Sequence, residues 1–164
     1  PDLALLVEAL TPSFEHKARV PESLAVDFAL DLLALRLAVP QACNLLSYEV
    51  DRAGETCEAM LSFAEGKRGS WAKAIAAIGK QGDRCRAQHP RAVRLLVDMA
   101  SGKTGPGLER DFAAGAYEVA QFVRWGKLAP EPLAELRKAV SAIANEDVQP
   151  SHRERLGELR AALR

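Results

Sequence analysis

The sequence predicts an all-α protein, an irregular multi-helix bundle of about eight to ten helices with no sheet. Apolar residues recur at steps of three and four along the chain, which is the period of a helix. No stretch alternates cleanly between apolar and polar residues, as a half-buried strand would. Most prolines fall between the periodic stretches, where they are tolerated. At 164 residues the chain has the size of a single domain, and its start at Pro1 without Met favours a segment excised from a longer protein.

Prolines, N-cap residues and glycines set the expected helix boundaries. The predicted helices cover about 12–19, 21–38, 40–50, 51–66, 71–82, 90–102, 108–125, 132–145 and 151–164. Asp51 and Ser70 are expected to cap two of them, and Ser151 with Glu154 forms a capping box for the last. The segment 102–107 is the expected loop.

Three of these helices carry the apolar faces that are expected to form the core. Helix 21–38 is apolar on most of its circumference and is predicted to be central, packed on several neighbours. The positions that define the three apolar faces are Leu24, Phe28, Leu30, Leu32, Leu33, Leu35, Leu37; Leu108, Phe112, Val119, Phe122, Val123; and Leu133, Leu136, Val140, Ile143.

Charge is strongly segregated along the chain although the formal net charge is zero. Residues 1–66 carry 11 acidic side chains against four basic ones, and residues 67–103 carry nine basic against two acidic. Residues 104–164 are balanced. Such a polarity determines what the surface attracts, without naming a partner.

The basic segment supplies the candidate partner-binding or anion-binding residues. They are Lys67, Arg68, Lys73, Lys80, Arg84, Arg86, Arg91 and Arg94. Helical steps place Lys73, Lys80 and Arg84 on one face as a basic stripe. Lys67 and Arg68, with the free N–H groups of the following helix start, form a candidate anion site.

Three interpretations of the basic segment remain open. The first is docking on the acidic first half of the same fold, the second is binding to an acidic protein partner, and the third is binding to nucleic acid. The acidic residues available for internal docking are Glu49, Asp51, Glu55, Glu58 and Glu65. The core is expected to claim most of the few aromatic residues, so a platform for stacking single-stranded bases is not predicted.

The cysteines favour a reducing compartment. Cys43, Cys57 and Cys85 are an odd number without short-range pairing, so we expect buried free thiols and a cytoplasmic location. The spacing of Cys85 and His89 suits two zinc ligands, but the paired cysteines usual in zinc sites are absent. No apolar stretch approaches the roughly 18 residues of a membrane span, so no membrane partner is predicted.

No residue pattern predicts catalysis, a cofactor or a metal site. Gly102-Lys103-Thr104 resembles the end of a phosphate-binding loop, but Val97 stands where that loop needs glycine. Asp27 and Asp31, one helical turn apart, fit a water-facing polar stripe better than an acid–base pair. We therefore expect a non-enzymatic interaction or adaptor domain with a protein partner. A nucleic-acid-binding domain that uses residues 67–94 is the first alternative, and an enzyme with an unrecognised site is the second.

The last helix has a narrow apolar stripe formed by Leu156, Leu159 and Leu163. We expect this stripe to close the bundle, because most amphipathic helices pack on their own core. The alternative is that it docks on a partner or on a second copy of the chain, which would make a homo-oligomer.

Overall fold

The structure is a computed structural model that describes residues 22–67, 69–102 and 107–164. Within these ranges the chain forms nine α-helices and no strand, which confirms the all-α prediction. The helices are α1 (Glu22–Ala34), α2 (Val39–Leu46), α3 (Ala53–Glu65), α4 (Trp71–Gln81), α5 (His89–Ala100), α6 (Leu108–Ala114), α7 (Ala116–Gly126), α8 (Pro130–Ser141) and α9 (Pro150–Ala162). Two 3₁₀ turns, Gly82–Cys85 and Asn145–Asp147, complete the order. None of the described helices has the length and apolar character to cross a membrane. The predicted helix 12–19 lies outside the described residues.

The central helix is α4, and the prediction that helix 21–38 is central is wrong. Every residue of α4 except Lys73 and Lys80 is buried, and the helix packs against α2, α3 and α7. By contrast, α1 ends at Ala34, and the side chains of Leu24 and Leu35 are 58% and 68% exposed. Residue size explains the difference. Five of the 11 residues of α4 are alanine or glycine, and these small residues let neighbouring helices approach it closely.

Two glycines mark the closest approaches to α4. A Cβ atom on Gly79 would lie 2.6 Å from the Cα atom of Phe122 on α7, so only glycine fits there. A Cβ atom on Gly115 would lie 2.8 Å from both Ala72 and Trp71. Gly115 also divides the predicted helix 108–125 into α6 and α7.

The side-chain caps predicted for three of the helices are not formed. Ser70 is the N-cap residue of α4, as predicted, but its side chain makes no capping hydrogen bond. Asp51 and Ser151 are not N-cap residues, because Arg52 precedes α3 and Gln149 precedes α9, so these two predictions are wrong. Before α3, the buried carboxylate of Glu49 accepts hydrogen bonds from the backbone N–H groups of Asp51 and Arg52, at 2.8 and 3.0 Å. These bonds shape the connection from α2 to α3, which carries Tyr48 and Val50.

The predicted core faces of the C-terminal half are confirmed. Phe112, Phe122 and Leu136 are fully buried. The last helix, α9, packs on α6 and α7 and buries its leucine stripe, with Leu156 and Leu159 at 0% exposure. The stripe therefore packs on the protein's own core, and these leucines are not available to dock on a second copy of the chain.

Candidate functional site

The three residues of the predicted basic stripe do not lie together on one surface of α4. Lys73 and Lys80 are the two exposed residues of this helix, as the helical period requires. Lys73 at one end lies 2.7 Å from the carboxylate of Glu118 on α7. Arg84 is not on the helix but on the 3₁₀ turn that follows it, where it lies near Lys80. Only Lys80 and Arg84 of the stripe therefore contribute to one common surface.

Arg91 docks on the acidic first half of the chain. Its guanidinium donates hydrogen bonds to Glu58 at 2.7 Å and to Glu65 at 2.8 and 3.1 Å. The hydrogen bonds to Glu65, and then to Glu58, raise the pKa of Arg91 above its ordinary range. In turn, the hydrogen bond from Arg91 lowers the pKa of Glu58. For this residue the structure places the basic segment against acidic residues of α3 in the same fold.

The other sequence candidates do not form a common site with Arg91. Lys67 lines a separate cavity of about 340 Å³ together with Lys73 and two carboxylates, which offset the positive charge there. Arg86 and Arg94 are exposed on the surface. Arg68 lies outside the described residues.

A groove of about 690 Å³ opens where the end of α4 meets the α2–α3 connection and the end of α7. Its described lining residues are Ser47, Tyr48, Val50, Lys80, Arg84, Arg124, Trp125 and Lys127. We call it the cationic groove, because four of these eight side chains are positively charged and none is negative. Among the ion pairs of the described residues, the only one that involves a lining residue joins Lys127 to Asp83 at 3.7 Å.

Two aromatic rings hold the ammonium group of Lys80 in this groove. Its Nζ atom lies 5.8 Å from the ring centroid of Tyr48 and 5.7 Å from that of Trp125. The side-chain oxygen of Asn44 is 3.4 Å away. Both residues that carry the rings are exposed, by 47% for Tyr48 and 42% for Trp125. The lysine is thus oriented without being neutralised, which prepares it to bind an external carboxylate or phosphate.

The buried side chain of Gln81, the last residue of α4, positions the groove. Its amide nitrogen donates hydrogen bonds to the backbone carbonyls of Leu46 and Glu49, at 2.8 and 2.6 Å. These bonds attach the α2–α3 connection, which carries Tyr48, to the end of α4. The amide oxygen of Gln81 accepts a hydrogen bond from Arg84 at 3.4 Å.

We expect Gln81→Leu to lower the free energy of unfolding by about 2 kcal/mol, because two buried carbonyls lose a donor that leucine cannot replace. Equilibrium unfolding in urea, followed by far-ultraviolet circular dichroism, measures the loss. The control is Gln121→Leu on α7, because Gln121 is half-buried and makes no hydrogen bond through its side chain to the described residues. Its change should stay within about 0.5 kcal/mol. Equal losses in the two variants would contradict the positioning role of Gln81.

Sequence reasoning missed most of the groove. The core takes most of the described aromatic rings, as expected, but Tyr48 and Trp125 stay exposed on either side of Lys80. One local signal was present. Arg124 and Lys127 flank Trp125 at the end of α7, which sets this aromatic residue between two cations.

The prediction of three free thiols is wrong for two of the cysteines. Cys57 on α3 and Cys85 on the 3₁₀ turn form a disulfide with a Cα–Cα distance of 5.5 Å. Their separation of 28 residues concealed the pair in the sequence. Cys43 is free and buried, and desolvation raises the pKa of its thiol to about 12, so it is not a nucleophile at neutral pH. Cys85 is bridged and cannot act with His89 as a zinc ligand.

The structure also shows the surroundings of His89, Asp27 and Asp31, the other residues considered for catalysis or metal binding. His89 is buried, and desolvation lowers its pKa, so its imidazole is neutral at pH 7. Asp27 and Asp31 are exposed, as the polar stripe predicted, and Asp27 lies 2.6 Å from the guanidinium of Arg52. Within the described ranges no group of three or more His, Cys, Asp or Glu side chains is placed to hold a metal ion. Lys103–Thr104 lies outside these ranges.

Compared with protein families, with curated proteins and with solved structures, the chain shows no match. A functional proposal therefore depends on the chemistry of the cationic groove itself.

Proposed function

We propose that this protein is a non-enzymatic interaction domain, an adaptor that binds an acidic segment of a partner protein at the cationic groove. One observation carries the proposal. Lys80, Arg84 and Arg124 converge on one groove, and none of them forms an ion pair with a carboxylate of the described residues. Cations arranged in this way attract anionic partners and select against cationic ones. Trp, Tyr and Arg are also the residue types that dominate the binding energy of protein interfaces.

The lining of the groove supports binding rather than catalysis. Its described residues include Ser47, Tyr48 and Lys80, which some enzymes use for catalysis, but no described histidine or carboxylate lines the groove to activate them. The enzyme alternative therefore draws no support from this site.

Nucleic acid is the second candidate, because exposed rings beside cations are the elements that single-strand-binding proteins use. The position of Lys80 favours the protein partner instead. Its ammonium group lies close to both rings, so a base that stacked on them at this side would have to displace it. A carboxylate would meet the ammonium where it already stands.

The charge of the groove provides the test of this proposal. The groove variant replaces four cations by glutamine: Lys80, Arg84, Arg124 and Lys127. The matched control variant replaces four exposed cations elsewhere by glutamine: Arg86, Arg94, Arg110 and Lys138. The probes are a fluorescein-labelled oligoglutamate and an oligothymidylate, and fluorescence anisotropy gives the affinities over a series of salt concentrations.

We expect the groove variant to lose oligoglutamate affinity by about tenfold or more, and the control variant by less than about twofold. The wild-type affinity should fall with added salt, because the contacts are solvent-exposed. Equal losses in the two variants, or no binding of oligoglutamate to the wild type, would refute the proposal. Tight binding of oligothymidylate that only the groove variant loses would establish the nucleic-acid candidate instead.

The cytoplasmic location inferred from the cysteine count stays a prediction. The Cys57–Cys85 bridge argues against it, because structural disulfides persist mainly in oxidising compartments.

A further inference from the structure

We infer that the segment bound at the cationic groove carries a bulky apolar side chain among its carboxylates. This inference rests on the proposed function and adds the chemical character of the partner. The partner class is an acidic peptide segment with an apolar anchor, which is distinct from a purely electrostatic polyanion.

The distribution of exposed apolar side chains supports the inference. The described part of the chain exposes seven large apolar side chains, and three of them, Tyr48, Val50 and Trp125, line the cationic groove. Val50 is 52% exposed. Single exposed apolar residues are ordinary on protein surfaces, but a cluster in a concave site is typical of a place where a partner side chain is buried.

Charge complementarity determines what must accompany the apolar anchor. The same groove holds Lys80, Arg84, Arg124 and Lys127, and a cationic or neutral partner would leave these charges partly desolvated and unpaired. An acidic segment pairs them while its apolar side chain covers Val50 and the exposed part of Trp125, away from the side where Lys80 lies. Plain oligoglutamate satisfies only the charges, so it should bind more weakly than the same peptide with an apolar anchor.

The experiment compares two labelled peptides on the wild type and on three variants. One peptide is an oligoglutamate, and the other has a central phenylalanine in the same background. The variants are Val50→Asn and Trp125→Ser in the groove, and Leu24→Ser as a matched control at a residue that is 58% exposed elsewhere. Trp125→Ser removes one of the two rings that hold Lys80, so its effect includes any displacement of the lysine. Val50→Asn keeps both rings and therefore tests the apolar contact without moving Lys80.

We expect the phenylalanine peptide to bind the wild type about tenfold more tightly than oligoglutamate. Val50→Asn should reduce this advantage to about threefold or less, because it removes an apolar contact while the four cations stay in place, and Leu24→Ser should keep the full advantage.

Two results would overturn the inference and leave the proposed function intact. They are equal affinities of the two peptides for the wild type, and an advantage for phenylalanine that survives in both groove variants. If neither peptide binds, the proposed function fails with it. If oligothymidylate binds more tightly than the phenylalanine peptide and displaces it, the groove is a nucleic-acid site, and the inference is wrong.

Discussion

Phe122→Ala should lower the free energy of unfolding by about 3–5 kcal/mol, as expected when a fully buried aromatic side chain is truncated. Phe122 is 0% exposed, and its backbone lies so close to α4 that only glycine is accommodated at position 79. Its ring also packs edge-on against the ring of His89, with 5.6 Å between centroids. Because α4 and α7 pack too closely here for large movements, the cavity cannot collapse easily, and the cost should be near the upper end of this range.

Urea unfolding followed by circular dichroism measures this effect, and Phe28→Ala is the matched control. Phe28 lies on α1 and is only half-buried, so its truncation should cost less than about 2 kcal/mol. The comparison tests which helix is central. A greater loss for Phe28→Ala than for Phe122→Ala would restore helix 21–38 to the centre of the fold and contradict the structure.

Removal of the disulfide should have the second largest effect. The double variant Cys57→Ala with Cys85→Ala should be about 3–4 kcal/mol less stable than the oxidised wild type, because the bridge closes a loop across 28 residues and restricts the unfolded chain. Both cysteines are fully buried, so the alanine variant also loses some packing. The bridge anchors the 3₁₀ turn that carries Arg84, and the variant should therefore also bind the acidic peptides more weakly.

Unfolding with and without dithiothreitol separates the bridge from packing. The wild type and the double variant should differ by about 3–4 kcal/mol without reductant and by less than about 1 kcal/mol with it. Thiol titration of the denatured, unreduced wild type should find one free thiol, that of Cys43. Three titratable thiols, or a wild type whose stability is independent of reductant, would show that Cys57 and Cys85 are not bridged.

The lining of the cationic groove shows why charge segregation along the chain was an incomplete guide to the candidate site. The basic segment contributes Lys80 and Arg84, but Arg124 and Lys127 come from a region whose net charge is zero. Arg91, from the same basic segment, pairs instead with carboxylates of the acidic half. Net charge per segment counts residues, whereas the field at a site depends on which of them the fold brings together without an opposite charge.

The sequence by itself determined the helical class and much of the core. A helical period and the position of prolines depend on interactions within a few residues, so Phe112, Phe122 and Leu136 could be assigned to the core correctly. The exposed positions of α4 followed from the same period, which is why Lys73 and Lys80 were found.

Only the tertiary structure decided which helix is central, which cysteines are bridged and where the candidate site lies. Leucines on most sides of a helix do not determine which sides are covered; α4 is covered because small residues such as Gly79 let α7 approach it. Tyr48, Lys80 and Trp125 are far apart in the sequence, and they meet because α4 packs against α7 and against α2, whose connection to α3 carries Tyr48. Local periodicity reports the face of each helix, but the contacts between faces depend on long-range packing that no short window of sequence contains.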